Sequence, residues 1–580
     1  MKILNVLKQN KSFRFNLISI SIFALLIATL YQISINYGFI NLDDYQYILL
    51  NPYLNLSFHN AVQAFVNVHF YMYIPLTLLS YSIDYAIWGP NPFGYHLQNL
   101  FWFFISVIFI YKIFLRFKIN PWIAVMLCIF YIVHPQRVES VVWIAERKDV
   151  LCSAFYFMSL FCYINNGKHG KILSLILFIA SLLAKPMSIT LPIVLLAYEF
   201  CKTRSFSIKH YLYLLWPFFL IVLAMIPITY IAQADLGAVD GYTPFLGKAY
   251  SVIYNLLWYG KQVFYPSELC PLYAKISISG TYIYVLVSYL IIFLLLILTF
   301  IFKRKLAIYS IFPLIIAYVI TLLPVSGIVR LGSIDHADRY SLIVSFYILL
   351  GTGVFLNYCF FNRNKDLISF LKIHISGKFL YTLSVFVLFL LTIFFYIQNA
   401  VYQKIWVNDV SLYKYSSEFM PANLYALEKI AAHEYRKKDY QEVYAISKIM
   451  FKCSDMDNIN KYLAAGMKTT AAYFRFKALY ALKNYTEALS LYNFLDAYVL
   501  HVYKSNLTYF NFEATAAFCF YHDNQKAKAI EILDALYANP KANSDDKNTF
   551  KEMKEAFLSN DYSKVNILEN KLNLAAFCAN

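Results

Sequence analysis

The chain has 580 residues, of which 60% are hydrophobic and 14% are charged. A water-soluble protein carries about a quarter charged residues, so this composition excludes an ordinary soluble enzyme and indicates an integral membrane protein. The net charge of +17 is typical of a membrane protein, whose cytoplasmic loops are basic. The C-terminal part mixes both signs of charge, which does not predict nucleic-acid binding.

Apolar runs alternate with clusters of Lys and Arg along the first 400 residues. The N-terminus is basic, whereas the stretch from Phe15 to Tyr111 contains no Lys or Arg. Because basic loops stay on the cytoplasmic side, we expect the N-terminus inside and the first loop outside. Continuing this alternation predicts about eleven spans, including a short hairpin that turns at Lys185. The last span, near Phe379 to Gln398, places the following domain outside.

Hydrophobicity falls after residue 400, and four similar segments follow: KKDYQEVYAI, LKNYTEALSL, DNQKAKAIEIL and SNDYSKVNIL. The matching small apolar residues are Val443, Ala488, Ala529 and Val565. The repeat spacing is irregular and exceeds the about 34 residues of a tetratricopeptide repeat (TPR). We therefore predict an all-α protein, with a membrane helical bundle over 1–400 and a soluble, degenerate TPR-like solenoid over 401–580. An ordinary helical bundle is the alternative for the second domain. A solenoid would offer a concave face that holds a protein acceptor or another partner.

The first outer loop contains the sequence FINLDDYQYILLNPY, which places Asp43 and Asp44 directly after the first span. Adjacent carboxylates can supply a general base for an acceptor hydroxyl. They can also bind a divalent cation, Mg²⁺ or Mn²⁺. A solvated loop or a helix N-cap is the structural alternative, and the residues alone leave these open.

The segment HPQRVESVVWIAERKDVL collects charge between two spans on the predicted outer side. Its Arg and Lys side chains could hold a phosphate or a pyrophosphate, and a loop with internal ion pairs is the alternative. Its ionisable residues are His134, Arg137, Glu139, Glu146, Arg147, Lys148 and Asp149.

Further ionisable residues lie at the same predicted membrane face, where such groups are costly and usually functional. The segment SIDHADRY begins a later span, and LLAKPM contains a lone lysine. A histidine begins the second span and could contact a ligand, although a histidine that only packs at the membrane interface is an equal alternative. These residues are Asp335, His336, Asp338, Arg339, Lys185 and His96. The sequence has no P-loop, HExxH, GxSxG or CxxC motif. With the outer placement, this argues against ATP or nucleotide sugars as substrates.

Six segments occur in the order found in the transmembrane-and-TPR O-mannosyltransferases, and the chain resembles bacterial relatives of that family, within the GT-C class of membrane glycosyltransferases. The most specific segment is HPQRVESVVWIAERKDVL. The others are NLDDYQYILLNPY, IPLTLLSYSIDYAIWGPNPFGYHLQNL, LLAKPMSITLPIVLL, LLPVSGIVRLGSIDHADRY and QKIWVNDVSLY. The resemblance covers most of the chain. One departure is Ile74, where relatives often have Arg or His before Pro-Leu.

The resemblance implies a polyprenyl-phosphate-linked sugar as donor and chemistry on the periplasmic side of a bacterial inner membrane. It implies Asp43, with Asp44 as its neighbour, as the catalytic base or the group that positions the acceptor. Which of the two acids matters more stays open, as does the need for a metal. The implied donor-phosphate ligands are Arg137, Arg147, Lys148, Lys185 and Arg339. The other ionisable residues at this predicted face are candidates for the substrate pocket: His96, His134, Glu139, Glu146 and Asp338.

Four functions stay open from the sequence. The first is sugar transfer to a protein hydroxyl, with inversion at the sugar carbon. The second is transfer to an envelope lipid or glycan, and the third is a scaffold without chemistry. The fourth is a transporter of lipid-linked sugars, which would place ionisable residues in mid-membrane rather than at one face.

Overall fold

A computed structural model describes most of the chain, which divides into two compact units, Met1–Leu412 and Tyr413–Asn580. The described residues are 2–165, 167–204, 207–234, 245–273, 287–290, 310–326, 336–364, 366–370, 373–419, 423–454, 461–495 and 507–578.

The first unit is built from α-helices, numbered here in chain order. They are α1 (Lys2–Tyr31), α2 (Phe58–Val66), α3 (Pro75–Trp88), α4 (Pro92–Arg116), α5 (Pro121–Val133), α6 (Arg137–Val142), α7 (Arg147–Ile164), α8 (Lys168–Ala184), α9 (Leu191–Thr203), α10 (Ile208–Ala234), α11 (Phe245–Gln262), α12 (Phe312–Leu322), α13 (Ser341–Phe361) and α14 (Gly377–Tyr402). Strands β1 (Asp366–Phe370) and β2 (Ile373–Ser376) pair antiparallel. Apart from this hairpin, the described residues show the predicted all-α architecture.

Several helices are long and apolar enough to cross a membrane, so the protein is a multi-pass membrane protein, as the sequence predicts. Five described segments meet this criterion: Phe13–Tyr31, Pro92–Arg116, Lys209–Ala232, Asp338–Phe361 and Gly377–Trp406. Shorter apolar helices are Pro121–Val133, His169–Ala184 and Phe312–Val325. The sequence also predicts a span that ends before Lys303, and most of it lies outside the described residues, so the total of about eleven stays a prediction.

Two helix breaks bring charged segments to one end of the bundle. His134 and Lys185 have extended backbones, which end α5 and α8. Each precedes a proline, and the proline ring disfavours the helical conformation in the residue before it. The carbonyl left free at Ala184 accepts a hydrogen bond from the Thr77 hydroxyl at 3.0 Å. The sequence thus ends both helices where its ionisable residues begin.

The second unit consists of helix pairs. Its helices are α15 (Asp409–Phe419, which begins at the end of the first unit), α16 (Leu424–Arg436), α17 (Tyr440–Ser454), α18 (Lys461–Ala481), α19 (Tyr485–Ser490), α20 (Leu507–His522), α21 (Lys526–Ala538), α22 (Ser544–Ser559) and α23 (Tyr562–Cys578). Each of the four similar sequence segments forms the turn and the second helix of one pair.

The four turns share one backbone feature and one buried contact. A residue with positive φ, between 53° and 65°, occurs at the same place in each turn: Lys438, Lys483, Asn524 and Asn560. Five residues further along, the small apolar side chains of Val443, Ala488, Ala529 and Val565 are fully buried. The left-handed residue ends the first helix and lets the second fold back onto it. Similar sequence thus forms similar helix pairs, while the TPR assignment stays a prediction.

Candidate active site

Glu146 lies at the centre of a group of buried charges. Its carboxylate oxygens lie 3.2 Å from Lys148 Nζ, 3.3 Å from Lys185 Nζ and 3.4 Å from Arg339 Nε. Burial raises the pKa of Glu146, but the three cations outweigh burial and hold that pKa below its usual range. From the turn before α7, the ionised carboxylate therefore contacts the first turn of α7, the turn after α8 and the turn before α13.

Three further carboxylates complete this group, which we call the ionic cluster. Asp43 lies 2.8 Å from Lys148 Nζ, Asp149 lies 2.5 Å from Lys185 Nζ, and Glu139 lies 2.5 Å from Arg339 Nη1. The members are Asp43, Glu139, Glu146, Lys148, Asp149, Lys185 and Arg339.

The members of the ionic cluster differ in exposure. The side chain of Asp43 is 27% exposed, whereas those of Glu139, Glu146 and Asp149 are at most 4% exposed. Among the cations, Arg339 is the most exposed, at 12%. A substrate can therefore reach Asp43 more easily than any other carboxylate of the cluster.

Asp44 has a different environment from its neighbour. It is fully buried, and its two oxygens accept backbone N–H bonds from Ile40 at 2.8 Å and Ala145 at 2.7 Å. Burial raises the pKa of Asp44 to about 8, although the two N–H donors oppose this shift. Asp44 thus ties the loop that follows α1 to the segment before α7, and this places Asp43 beside Lys148.

Replacing Asp44 with asparagine should destabilise the protein and weaken any activity that depends on Asp43. The amide nitrogen cannot accept one of the two N–H bonds, which should cost about 1–3 kcal/mol of unfolding free energy. Thermal unfolding of the detergent-solubilised protein measures this cost, with Asp43→Asn as the matched control. An unchanged melting temperature for Asp44→Asn would show that its hydrogen bonds do not hold the loop.

Arg147 lies next to Lys148 in sequence but outside the ionic cluster. Its guanidinium lies 2.8 Å from Asp84, and both side chains are fully buried. It also donates to the Tyr95 carbonyl at 2.7 Å and to the side-chain oxygen of Asn99. This geometry favours a structural ion pair over the predicted contact with a donor phosphate.

Arg137 and Asp338 are also buried, and their opposite charges interact. Arg137 donates to the Ser341 hydroxyl at 2.7 Å and lies 4.8 Å from the centre of the Tyr131 ring. Its Nε and Nη1 have no hydrogen-bond partner among the described residues. Asp338 accepts hydrogen bonds from the side chains of Gln136 and Tyr273, both at 3.2 Å, and from the Tyr402 hydroxyl at 3.4 Å. That Arg137 binds the donor phosphate and that Asp338 binds the substrate both stay predictions.

The two candidate histidines have structural partners. His134 Nε2 donates to the carbonyls of Gln262 and Val263, both at 3.1 Å, and its Nδ1 accepts the N–H of Gln136. Burial lowers the pKa of His134 to about 3, so the ring is neutral at ordinary pH. The buried ring of His96 lies 3.2 Å from the carbonyl oxygen of Tyr37. These contacts favour packing roles for both, while Asp335 lies outside the described residues.

Aromatic rings cover the cations of the cluster, which sequence reasoning missed. Lys148 Nζ lies 5.0 Å from the centre of the Tyr47 ring and 5.6 Å from that of Trp143. The Arg339 guanidinium lies 5.0 Å from Tyr340 and 5.7 Å from Trp143. Rings at these distances stabilise cations by about 0.5–2 kcal/mol. The position of Trp143 inside the most specific motif was the signal that could have indicated this role.

The Asp43–Asp44 pair does not fit a Mg²⁺ or Mn²⁺ site. Both oxygens of Asp44 accept backbone N–H bonds, and Asp43 contacts the ammonium group of Lys148. Across the described ranges, no three His, Cys, Asp or Glu side chains are grouped as metal ligands. We therefore derive no catalytic step through a metal.

Comparison with known proteins gives partial matches in sequence, and no protein-family model matches the chain. Protein O-mannosyl-transferase TMTC2 of Homo sapiens is 34% identical over 96 residues, which is 16% of this chain and 11% of that protein. Protein O-mannosyl-transferase TMTC3 of Homo sapiens is 28% identical over 146 residues, 23% of this chain and 16% of that protein. Protein O-mannosyl-transferase Tmtc1 of Drosophila melanogaster is 27% identical over 121 residues, which is 20% of this chain and 14% of that protein.

These partial matches agree with the resemblance drawn from the motifs: the chain is similar to the transmembrane-and-TPR O-mannosyltransferases. The matched segments span less than a fifth of the length of these three relatives. Among solved structures, ArnT from Cupriavidus metallidurans bound to undecaprenyl phosphate aligns over 89% of this chain and 80% of its own, with 12% identity. Its TM-score of 0.34 is too low to carry an argument about the fold.

Proposed function

We propose that the protein is a membrane glycosyltransferase that moves a sugar from polyprenyl phosphate to a hydroxyl group of a protein acceptor. The reaction takes place on the periplasmic face of the bacterial inner membrane. The observation that carries the proposal is the accessible carboxylate of Asp43, held 2.8 Å from Lys148 in a cluster that contains two further cations. The proposed sugar transfer is supported by the similar proteins, which are named protein O-mannosyl-transferases.

The proposed reaction is a direct displacement. The Asp43 carboxylate takes the proton of the acceptor hydroxyl, and the acceptor oxygen forms a bond to the anomeric carbon of the sugar. The bond between that carbon and the phosphate oxygen breaks, and its electron pair leaves with polyprenyl phosphate. Attack opposite the leaving group inverts the sugar carbon.

The ion pairs link proton transfer to stabilisation of the leaving group. The cluster holds four carboxylates and three cations, so it is not a preformed anion site. When Asp43 takes the proton, its attraction to Lys148 weakens. Lys148 then becomes available as negative charge develops on the leaving phosphate, which is the moment at which stabilisation accelerates the reaction.

Replacing Lys148 with glutamine should therefore lower kcat more than it changes KM. Loss of one group that stabilises developing charge costs about 10²- to 10³-fold in rate. Initial-rate kinetics with a polyprenyl-phosphate sugar measure the effect, with Lys404→Gln as a control at an exposed lysine outside the cluster. A kcat equal to that of the unchanged protein would contradict the role of Lys148, provided that both variants have the same melting temperature.

The proposal of a protein acceptor is supported by the relatives' names and by the helix pairs of the second unit, a type of structure that binds polypeptides. Mass spectrometry of periplasmic proteins tests it, in cells that carry either the unchanged enzyme or Asp43→Asn. We expect hexose-modified Ser or Thr peptides only with the unchanged enzyme. Asp43-dependent label in an envelope lipid or glycan, with none on protein, would overturn the acceptor class but keep the transferase.

A further inference from the structure

A cavity of about 450 Å³ lies toward the end of the helical bundle opposite to the ionic cluster. Helix α7 begins at Arg147, beside the cluster, and reaches the cavity with Leu160 and Ile164. Eighteen helical residues span about 27 Å, so the two sites are separated by most of the thickness of a membrane core. No step of the proposed sugar transfer uses this cavity.

The interior of the cavity is apolar. Its walls are buried side chains of α7, α9, α12 and α13, among them Leu160, Val194, Ala317, Phe346 and Leu350. A cavity of this volume falls within the roughly 300–1,000 Å³ of small-molecule sites and suits a hydrocarbon chain.

The rim of the cavity is positively charged. Lys118, Lys202 and Arg204 line it and are exposed, and its described lining includes no Asp or Glu. Glu199, outside the lining, lies 3.4 Å from Lys202. An apolar interior beneath a cationic rim, at the ends of membrane helices, matches an amphiphile with a negatively charged head group.

A second cavity of about 330 Å³ adjoins the first and shares Ser310, Leu314, Tyr347 and Val354 with it. Apart from Ser310 and Ile311, which precede α12, its lining residues belong to α12 and α13, and Phe355 on its wall is 47% exposed. Two adjoining apolar cavities suit the two chains of a phospholipid better than the single chain of a polyprenyl phosphate.

We propose that these cavities bind an anionic phospholipid of the surrounding bilayer. The head group contacts Lys118, Lys202 and Arg204, and the two acyl chains enter the cavities on either side of the contact between α12 and α13. A soluble anion would use the rim alone and would leave the apolar interior unused. This inference does not depend on the proposed sugar transfer.

Native mass spectrometry and thermal unfolding of the full-length protein in a neutral detergent test the inference. The probes are phosphatidylglycerol, phosphatidylcholine and inorganic phosphate. The rim variant combines Lys118→Gln, Lys202→Gln and Arg204→Gln. A matched control removes three exposed cations that do not line the cavities, through Arg14→Gln, Lys209→Gln and Lys378→Gln.

We expect the unchanged protein to retain phosphatidylglycerol and to melt at a higher temperature with it, and phosphatidylcholine to have little effect. The rim variant should bind phosphatidylglycerol at least tenfold more weakly, while the matched control binds it normally. Ala317→Leu, which fills the interior and leaves the rim unchanged, should also weaken binding.

Three results would overturn the inference. Equal loss in the rim variant and in the matched control would show general attraction of the lipid to a basic surface. An equal rise in melting temperature with inorganic phosphate would show that the acyl chains play no part. Displacement of phosphatidylglycerol by an equimolar polyprenyl phosphate would identify the donor lipid as the occupant.

Discussion

Replacing Asp43 with asparagine is expected to lower sugar transfer by about 10²- to 10⁴-fold, the usual contribution of a general base. The amide keeps the size of the side chain but cannot take the proton of the acceptor hydroxyl. The variant should fold normally, because Asp43 is partly exposed and Lys148 keeps Glu146 at 3.2 Å as a partner. Transfer of labelled sugar by the purified protein, normalised to its amount in the membrane, measures the effect.

Asp43→Glu is the matched control for this prediction. It keeps a carboxylate but displaces it by one methylene group, so it should retain part of the activity that Asp43→Asn loses. Full transfer by Asp43→Asn would exclude this carboxylate as the base. Equal loss in both variants, with lower abundance, would show that Asp43 serves the packing of the loop.

Replacing Arg147 with methionine is expected to have the largest effect on stability. The change leaves the carboxylate of Asp84 buried without a cation, and loss of one partner of a buried pair costs about 3–5 kcal/mol. It also removes donors from Asn99 and the Tyr95 carbonyl. The temperature of thermal unfolding and the abundance of the protein in the membrane should both fall.

A second variant separates this structural role from a phosphate contact. Combining Arg147→Met with Asp84→Leu removes both charges, and apolar replacement of a buried pair is often neutral or stabilising. The double variant should therefore recover much of the lost stability and some transfer. Lys528→Met breaks an exposed pair with Glu531 and should cost at most about 1 kcal/mol. If Arg147→Met alone is as stable as the unchanged protein but transfers no sugar, Arg147 binds the donor instead.

The limits of sequence reasoning are clearest where neighbouring residues have different environments. Motif order and charge placement predicted that Asp43, Lys148, Lys185 and Arg339 share one membrane face, and the structure brings them together. Sequence could not assign individual partners, because consecutive helical residues point about 100° apart. Arg147 therefore meets Asp84, while Lys148 meets the first loop.

The same limit applies to the adjacent acids of the first loop. Asp43 and Asp44 look equivalent in sequence, and either could be a base or a metal ligand. Their roles separate only when Ala145, about 100 residues away, donates its N–H to Asp44. Such long-range hydrogen bonds leave no local pattern. The repeated turns of the second domain do leave a local pattern in the sequence. That pattern aligned Ala488 and Ala529 as matching apolar residues, and both are buried.

The most direct test of the central claim uses the purified, unchanged protein in liposomes with a polyprenyl-phosphate-linked labelled sugar and an acceptor protein. The account predicts label on hydroxyl side chains of the acceptor and one polyprenyl phosphate released for each sugar transferred. Label on the acceptor with no release of polyprenyl phosphate, or no label from this donor at all, would contradict the claim that the ionic cluster transfers sugar from a lipid phosphate.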